Sequence, residues 1–139
     1  MADAKTAKLK TVPLFAFCTQ KQLAFIATQV EEMDFPAGKI LCSEGQSGGD
    51  FFVLIAGAAE VTRGTKRITK MSVGDFFGEI ALIDGVKRTA TVTTTAPSRC
   101  LVLGPRQFQN VLHQNADIAH SVMKALTLRV REVGAARSD

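Results

Sequence analysis

The residues best suited to chemistry lie in one stretch, Gly74-Asp75-Phe76-Phe77-Gly78-Glu79-Ile80-Ala81-Leu82-Ile83, continued by Asp84-Gly85-Val86-Lys87 and Arg88-Thr89-Ala90-Thr91-Val92. A strand ending at Gly74 and a short helical turn starting near Gly78 would leave free amides pointing outward, and such amides favour a phosphate. Gly78 has no side chain to hold a ligand off. Arg88 supplies a permanent cation whose fork matches two phosphate oxygens. Glu79 would repel that phosphate unless it met a donor. The 2′-hydroxyl of a ribose is such a donor, and a cyclic 3′,5′-phosphate leaves it free. Glu79 and Arg88 together would then read the sugar and the phosphate of one small ligand.

No second chemical site assembles from the remaining residues. The cluster Gly45-Gln46-Ser47-Gly48-Gly49 lacks the Gly-Lys-Ser/Thr ending of a phosphate loop and reads as a strand turn. His113 and His120 fall in a helical region without a cysteine or carboxylate arranged to complete a metal site, so no metal is expected. Cys18, Cys42 and Cys100 are far apart and odd in number. They read as reduced, mostly buried thiols of a cytoplasmic protein rather than as a disulfide framework.

The elements that must position the stretch follow from periodicity. Met1 to Lys10, rich in alanine and lysine, has no apolar core of a signal peptide and reads as a flexible leader, with one domain expected over 11–139. Pro13-Leu14-Phe15 leads to Thr19, a helix N-cap, after which Leu23, Ile26 and Val30 recur at helical steps. Beyond Pro36-Ala37-Gly38 the rhythm becomes that of short strands: Lys39–Cys42, Phe51–Ile55, Ala58–Thr62, Arg67–Met71, Thr89–Thr94 and Arg99–Leu103, separated by glycines. Such spacing predicts an antiparallel roll or barrel of about eight strands. Helix returns after Gly104-Pro105 with Phe108, Val111 and Leu112 on one face. Asn115 or Asp117 can cap a last helix whose stripe holds Ile118, Val122, Ala125, Leu126 and Val133, with Arg129 among them. The fold class is therefore mainly β with flanking helices.

Length and composition set the outer bounds. The chain has 139 residues, 46% of them hydrophobic and 22% charged, as for a globular protein with a core. No apolar run approaches the roughly 18 residues of a spanning helix. A net charge of +4, spread along the chain, suits an anionic ligand and equally permits nucleic acid.

Phe77-Gly78-Glu79-Ile80-Ala81-Leu82 followed by Arg88-Thr89-Ala90-Thr91-Val92 resembles the phosphate-binding cassette of the cyclic-nucleotide-binding domain family, which includes the regulatory subunit of protein kinase A, the catabolite activator protein and cyclic-nucleotide-gated channels. The resemblance extends from Pro13-Leu14-Phe15 through Gly38, Glu44-Gly45, Phe51-Phe52-Val53 and Gly57 to the final helix. It implies an eight-stranded antiparallel β-roll, or jelly roll, with helical segments at both ends. It implies that Glu79 binds the ribose 2′-hydroxyl, that Arg88 binds the cyclic phosphate, and that backbone amides at Gly78, Ala81 and Thr89 hold that phosphate, Ile80 lying within the same cassette. It also implies that Arg129 caps the purine from a last helix that moves on binding. The ligand expected is cAMP, with cGMP accepted, because a threonine after the arginine resembles the cGMP-accepting members, where its hydroxyl meets a syn guanine. One departure is the doubled Gly48-Gly49 before Asp50, which displaces the aspartate that supports the cassette arginine in the family.

A sensor module that is not an enzyme and needs no cofactor is the leading expectation. A cupin-type metal oxygenase is a rival of similar shape, but it would need histidines on the strands. A transcription regulator would need a helix-turn-helix after the last helix, and the few residues past Val133 do not supply one, so direct nucleic-acid binding is not expected. A roll that has lost binding and serves as an interaction surface is a third reading. An effector domain in a larger channel, kinase or regulator, or a homo-oligomer, would complete the sensor.

Overall fold

Among the described residues there are eight short strands, most of them formed where apolar and β-branched residues run between turn glycines. The computed structural model describes residues 2–78 and 87–137, with side chains over 4–78 and 87–128. The chain divides into two compact units, residues 30–108 and residues 1–29 with 109–139.

The first unit is the roll. Its strands are β1 (Glu31–Phe35), β2 (Ile40–Cys42), β3 (Phe51–Ala56), β4 (Ala59–Arg63), β5 (Lys66–Met71), β6 (Phe76–Phe77), β7 (Thr91–Thr94) and β8 (Ser98–Leu103). They make two four-stranded antiparallel sheets, ordered β1-β8-β3-β6 and β2-β7-β4-β5. This is the mainly β, eight-stranded antiparallel roll with helices at both ends. Phe51, Phe52, Val53 and Leu54 of β3 are all buried, so both faces of this inner strand are covered, which its unbroken apolar run dictates. Phe52, Leu54, Ala59, Met71, Val92, Cys100 and Val102 pack together with Cys42, and Phe35, Leu41, Val61 and Phe77 close the cluster's edge. Phe77 stacks on Phe52 with ring centroids 4.8 Å apart, while Phe35 meets Phe52 edge-on. That stack anchors the strand leading directly into Gly78.

Two strands escape a reading by hydrophobic pattern. β1, Glu31-Glu32-Met33-Asp34-Phe35, is almost wholly exposed, and it exists because β8 offers a ladder from Phe35 opposite Ser98 to Glu31 opposite Val102. Arg99 of β8 reinforces it across the pair, with Asp34 at 2.7 Å and Glu32 at 3.5 Å. β6 has only two residues and is held by β3. The strand expected over Thr89–Thr94 begins instead at Thr91, and Thr89 and Ala90 form a bend.

The second unit is helical. The leader expected at 1–10 is helical over Ala2–Lys10 (α1), with Thr6 and Leu9 buried, because α1 packs against α2 (Gln20–Ala27). Thr19 caps α2 in a full capping box with Gln22, as its sequence indicates. The helix stops at Ala27, before the Val30 that the helical spacing includes. The Thr28 hydroxyl and amide both turn back onto the Phe25 carbonyl at its end. The chain re-enters this unit within α3 (Pro105–Gln114) and continues into α4 (Ala116–Arg137). Asn115 caps α4, its side-chain oxygen accepting from the amides of Asp117 and Ile118. α4 packs on the short 3₁₀ turn Pro13–Phe15, and Ile118, Val122 and Ala125 of its stripe are buried.

Candidate functional site

Arg88 is the one charged residue that is buried among the described residues. Its side chain is only 9% exposed, and a guanidinium so placed must have its donors met. Two backbone carbonyls meet two of its five N–H donors: Nε donates to Gly48 O at 2.7 Å and Nη2 donates to Asp50 O at 2.5 Å. The backbone around it is fixed as well, with the Arg88 amide on Gln46 O at 2.7 Å and the Gly45 amide on Arg88 O at 2.9 Å. Ser47 and Lys87 form a single antiparallel bridge beside these bonds.

Two glycines make room for this arrangement. Gly78 has φ of 93°, and a Cβ there would fall 2.5 Å from Arg88 Nη1 and 2.7 Å from Asp50 O. Gly49 has φ of 103°, and its Cβ would fall 3.0 Å from Nη2. Both positions have a left-handed backbone that favours glycine, and at Gly78 a side chain would also run into the Asp50 carbonyl. The fork is thus clasped between the 48–50 loop and the start of the cassette.

Asp50 contributes through its main chain. Among the described residues no carboxylate forms an ion pair with Arg88; the ion pairs found there join Arg99 to Glu32 and Asp34. Burial pushes the Asp50 carboxyl above its ordinary value, and the Arg88 charge pulls it part of the way back. A raised carboxyl makes its ionised form a cost to the fold once pH exceeds the ordinary carboxylate range. The doubled glycine therefore leaves Arg88 supported by carbonyl dipoles, which do not neutralise its charge.

The structure brings Gly78 and Arg88 together and leaves Thr89 exposed beside them. Glu79, Ile80, Ala81 and the helical turn expected near Gly78 lie outside the described residues. The backbone of Arg129 is helical within α4, and its side chain lies outside the described set. Sequence reasoning missed the carbonyls of Gly48 and Asp50 as the arginine's supports; the doubled glycine was the available signal. The three cysteines are free and buried. Burial raises all three thiols, Cys100 to about 11, which leaves them little nucleophilic thiolate. Among the described residues no group of three histidines, cysteines or carboxylates could hold a metal, and no helix is long and apolar enough to cross a membrane.

Roll topology and a buried arginine beside a cassette glycine define a class, an antiparallel roll carrying a candidate anion cradle. Comparison with known proteins narrows it. The family model for the cyclic nucleotide-binding domain matches residues 32–115, and the chain belongs to that family. It is similar to a cAMP-dependent protein kinase regulatory subunit of Hypocrea atroviridis, 32% identical over 104 residues that make up 75% of this chain and 22% of that protein. It is also similar to the solved N-terminal domain of a transcriptional regulator from Streptomyces coelicolor A3(2), 27% identical with a TM-score of 0.83, covering 91% of this chain and 92% of that one. The regulatory domain of Toxoplasma gondii PKA, co-crystallised with cAMP, shares the fold at 22% identity and a TM-score of 0.74, covering 94% of this chain and 50% of that one. The chain spans about a quarter of the length of the curated relatives it matches.

Proposed function

We propose that this chain is a sensor that binds cAMP, and also cGMP, and reports binding through its last helix, without catalysing a reaction. The observation that carries the reading is the Arg88 guanidinium: buried, held in place by two carbonyls, and without a carboxylate counter-ion among the described residues. A cyclic phosphate, a monoanion, is the counter-ion that fits a single arginine beside a side-chain-free Gly78. In this reading Glu79 takes the ribose 2′-hydroxyl, and the amides at Gly78, Ala81 and Thr89 complete the phosphate seat, with Ile80 between them. Arg129 covers the base, and the Thr89 hydroxyl admits a syn guanine. The regulatory subunit of Hypocrea atroviridis and the Toxoplasma domain bound to cAMP support the choice of ligand class. The greater length of the curated relatives, and the origin of the Streptomyces domain in a transcriptional regulator, support an effector in a larger channel, kinase or transcription regulator beyond this module. Three buried thiols with raised pKa values are in keeping with a cytoplasmic setting.

Calorimetric titration with cAMP, cGMP and 5′-AMP tests the reading. Dissociation constants in the micromolar range or below are expected for the cyclic ligands, with far weaker binding of AMP, whose phosphate is bulkier and more highly charged. A hundredfold excess over the dissociation constant should stabilise the fold by about 2.7 kcal/mol. If neither cyclic nucleotide binds at millimolar concentration, the chain is a roll that has lost its ligand and serves as an interaction module.

A further inference from the structure

A second set of bonds ties the tip of the β4–β5 hairpin to the residues that follow Arg88. The β4–β7 ladder ends with Thr62 opposite Thr91, so Thr89 and Ala90 lie in a bend beyond its last rung. Arg63, the last residue of β4, reaches past that rung and donates from Nε to the Thr89 carbonyl at 3.0 Å. The next amide, that of Gly64, donates to Glu44 Oε1 at 2.9 Å. The amide of Glu44 in turn donates to Thr91 Oγ1 at 2.9 Å. With the Gly45 amide on the Arg88 carbonyl, two successive peptide planes are fixed. One is the plane carrying the Thr89 N–H, and the other is the plane carrying the Thr89 carbonyl.

We propose that Arg63 and Glu44 are positioning residues for the anion seat, which orient the bend after Arg88 from the hairpin tip. Arg63 and Glu44 are both exposed, and exposed charged contacts add little to folding stability. Their effect should instead appear in binding. A bend already oriented need not be ordered when the phosphate arrives, and affinity rises by the ordering cost avoided. The inference rests on the cyclic-nucleotide reading of the site and adds two residues that neither the cassette pattern nor the hydrophobic pattern indicates.

The test titrates wild type, Arg63→Met, Arg63→Lys and Glu44→Ala with cAMP and cGMP at two salt concentrations, alongside thermal melts and amide exchange of residues 89–91 without ligand. Arg63→Met and Glu44→Ala should each weaken binding about three- to tenfold, the scale of one hydrogen bond, while melting temperatures stay close to wild type. Exchange at 89–91 should quicken in both, and Arg63→Lys should recover most of the affinity and protection. Wild-type affinity in Arg63→Met overturns the proposal. So does a salt-dependent loss of affinity with unchanged exchange at 89–91, which would make Arg63 a second charge on the phosphate. If wild type binds neither nucleotide, the sensor reading fails; the exchange measurement still reports separately whether the hairpin orients the bend.

Discussion

Arg88 shows how the placement of one side chain can mark a candidate site. Its fork is held by carbonyls, and its neighbours Gly49 and Gly78 have no side chains to crowd it. A buried cation with no carboxylate ion-paired to it among the described residues is the group whose removal should cost a bound phosphate most. Arg88→Ala should therefore weaken cyclic-nucleotide binding by about 2–5 kcal/mol. Glu79→Ala, which removes one carboxylate–hydroxyl bond, should cost roughly 1.5–3 kcal/mol, and that loss should largely vanish for a 2′-deoxy ligand. Calorimetry on both variants with ribo and deoxy ligands measures the difference. Equal losses for the two ligands would remove the sugar-reading role from Glu79.

At the level of elements, the sheets depend on buried polar groups as well as on apolar packing. Thr94, at the end of β7, is fully buried, and its hydroxyl donates to Pro36 O at 2.6 Å while accepting from the Lys39 amide at 2.8 Å. The Thr94 amide and carbonyl bond Lys39 O and the Gly38 amide. One residue thus stitches the β1–β2 connection to β7. Thr94→Val keeps the volume but removes both side-chain bonds, leaving an amide and a carbonyl without this partner. It should lower stability by about 1–3 kcal/mol, read as a drop in denaturation midpoint, with nucleotide affinity unchanged because the Arg88 contacts are untouched. A midpoint equal to wild type would show that water replaces the hydroxyl without cost.

At the scale of the whole molecule the question is how binding in the roll would be reported. α4 carries an apolar stripe of which Ile118, Val122 and Ala125 are buried, whereas Met123 and Leu128 are exposed. A helix with apolar residues on more than its buried face can change partners at modest cost, as a two-state element must. If nucleotide favours one of its arrangements, amide exchange over residues 117–133 should slow at saturating ligand. Arg129→Ala should then reduce affinity modestly, since stacking of a guanidinium on a purine contributes about 0.5–2 kcal/mol. Unchanged exchange in this helix would mean that the signal leaves by another path.

The sequence by itself determined the class of fold and singled out Gly78 and Arg88, which lie together in the structure. Apolar runs cut by glycines encode strands wherever a strand buries its own side chains, as β3 and β8 do. The resemblance to a cassette could be read because the glycine, carboxylate and arginine that carry it are close along the chain, where spacing carries chemistry. Only the tertiary structure decided the rest. β1 is polar and becomes a strand through the ladder that β8 offers. α1 looks like a solvated leader until α2 covers Leu9. The supports of Arg88 are main-chain carbonyls forty residues away, and carbonyls are the same at every position of a sequence. Residue types reveal which groups can do chemistry, but a backbone acceptor acquires a role only when the fold brings it to its donor.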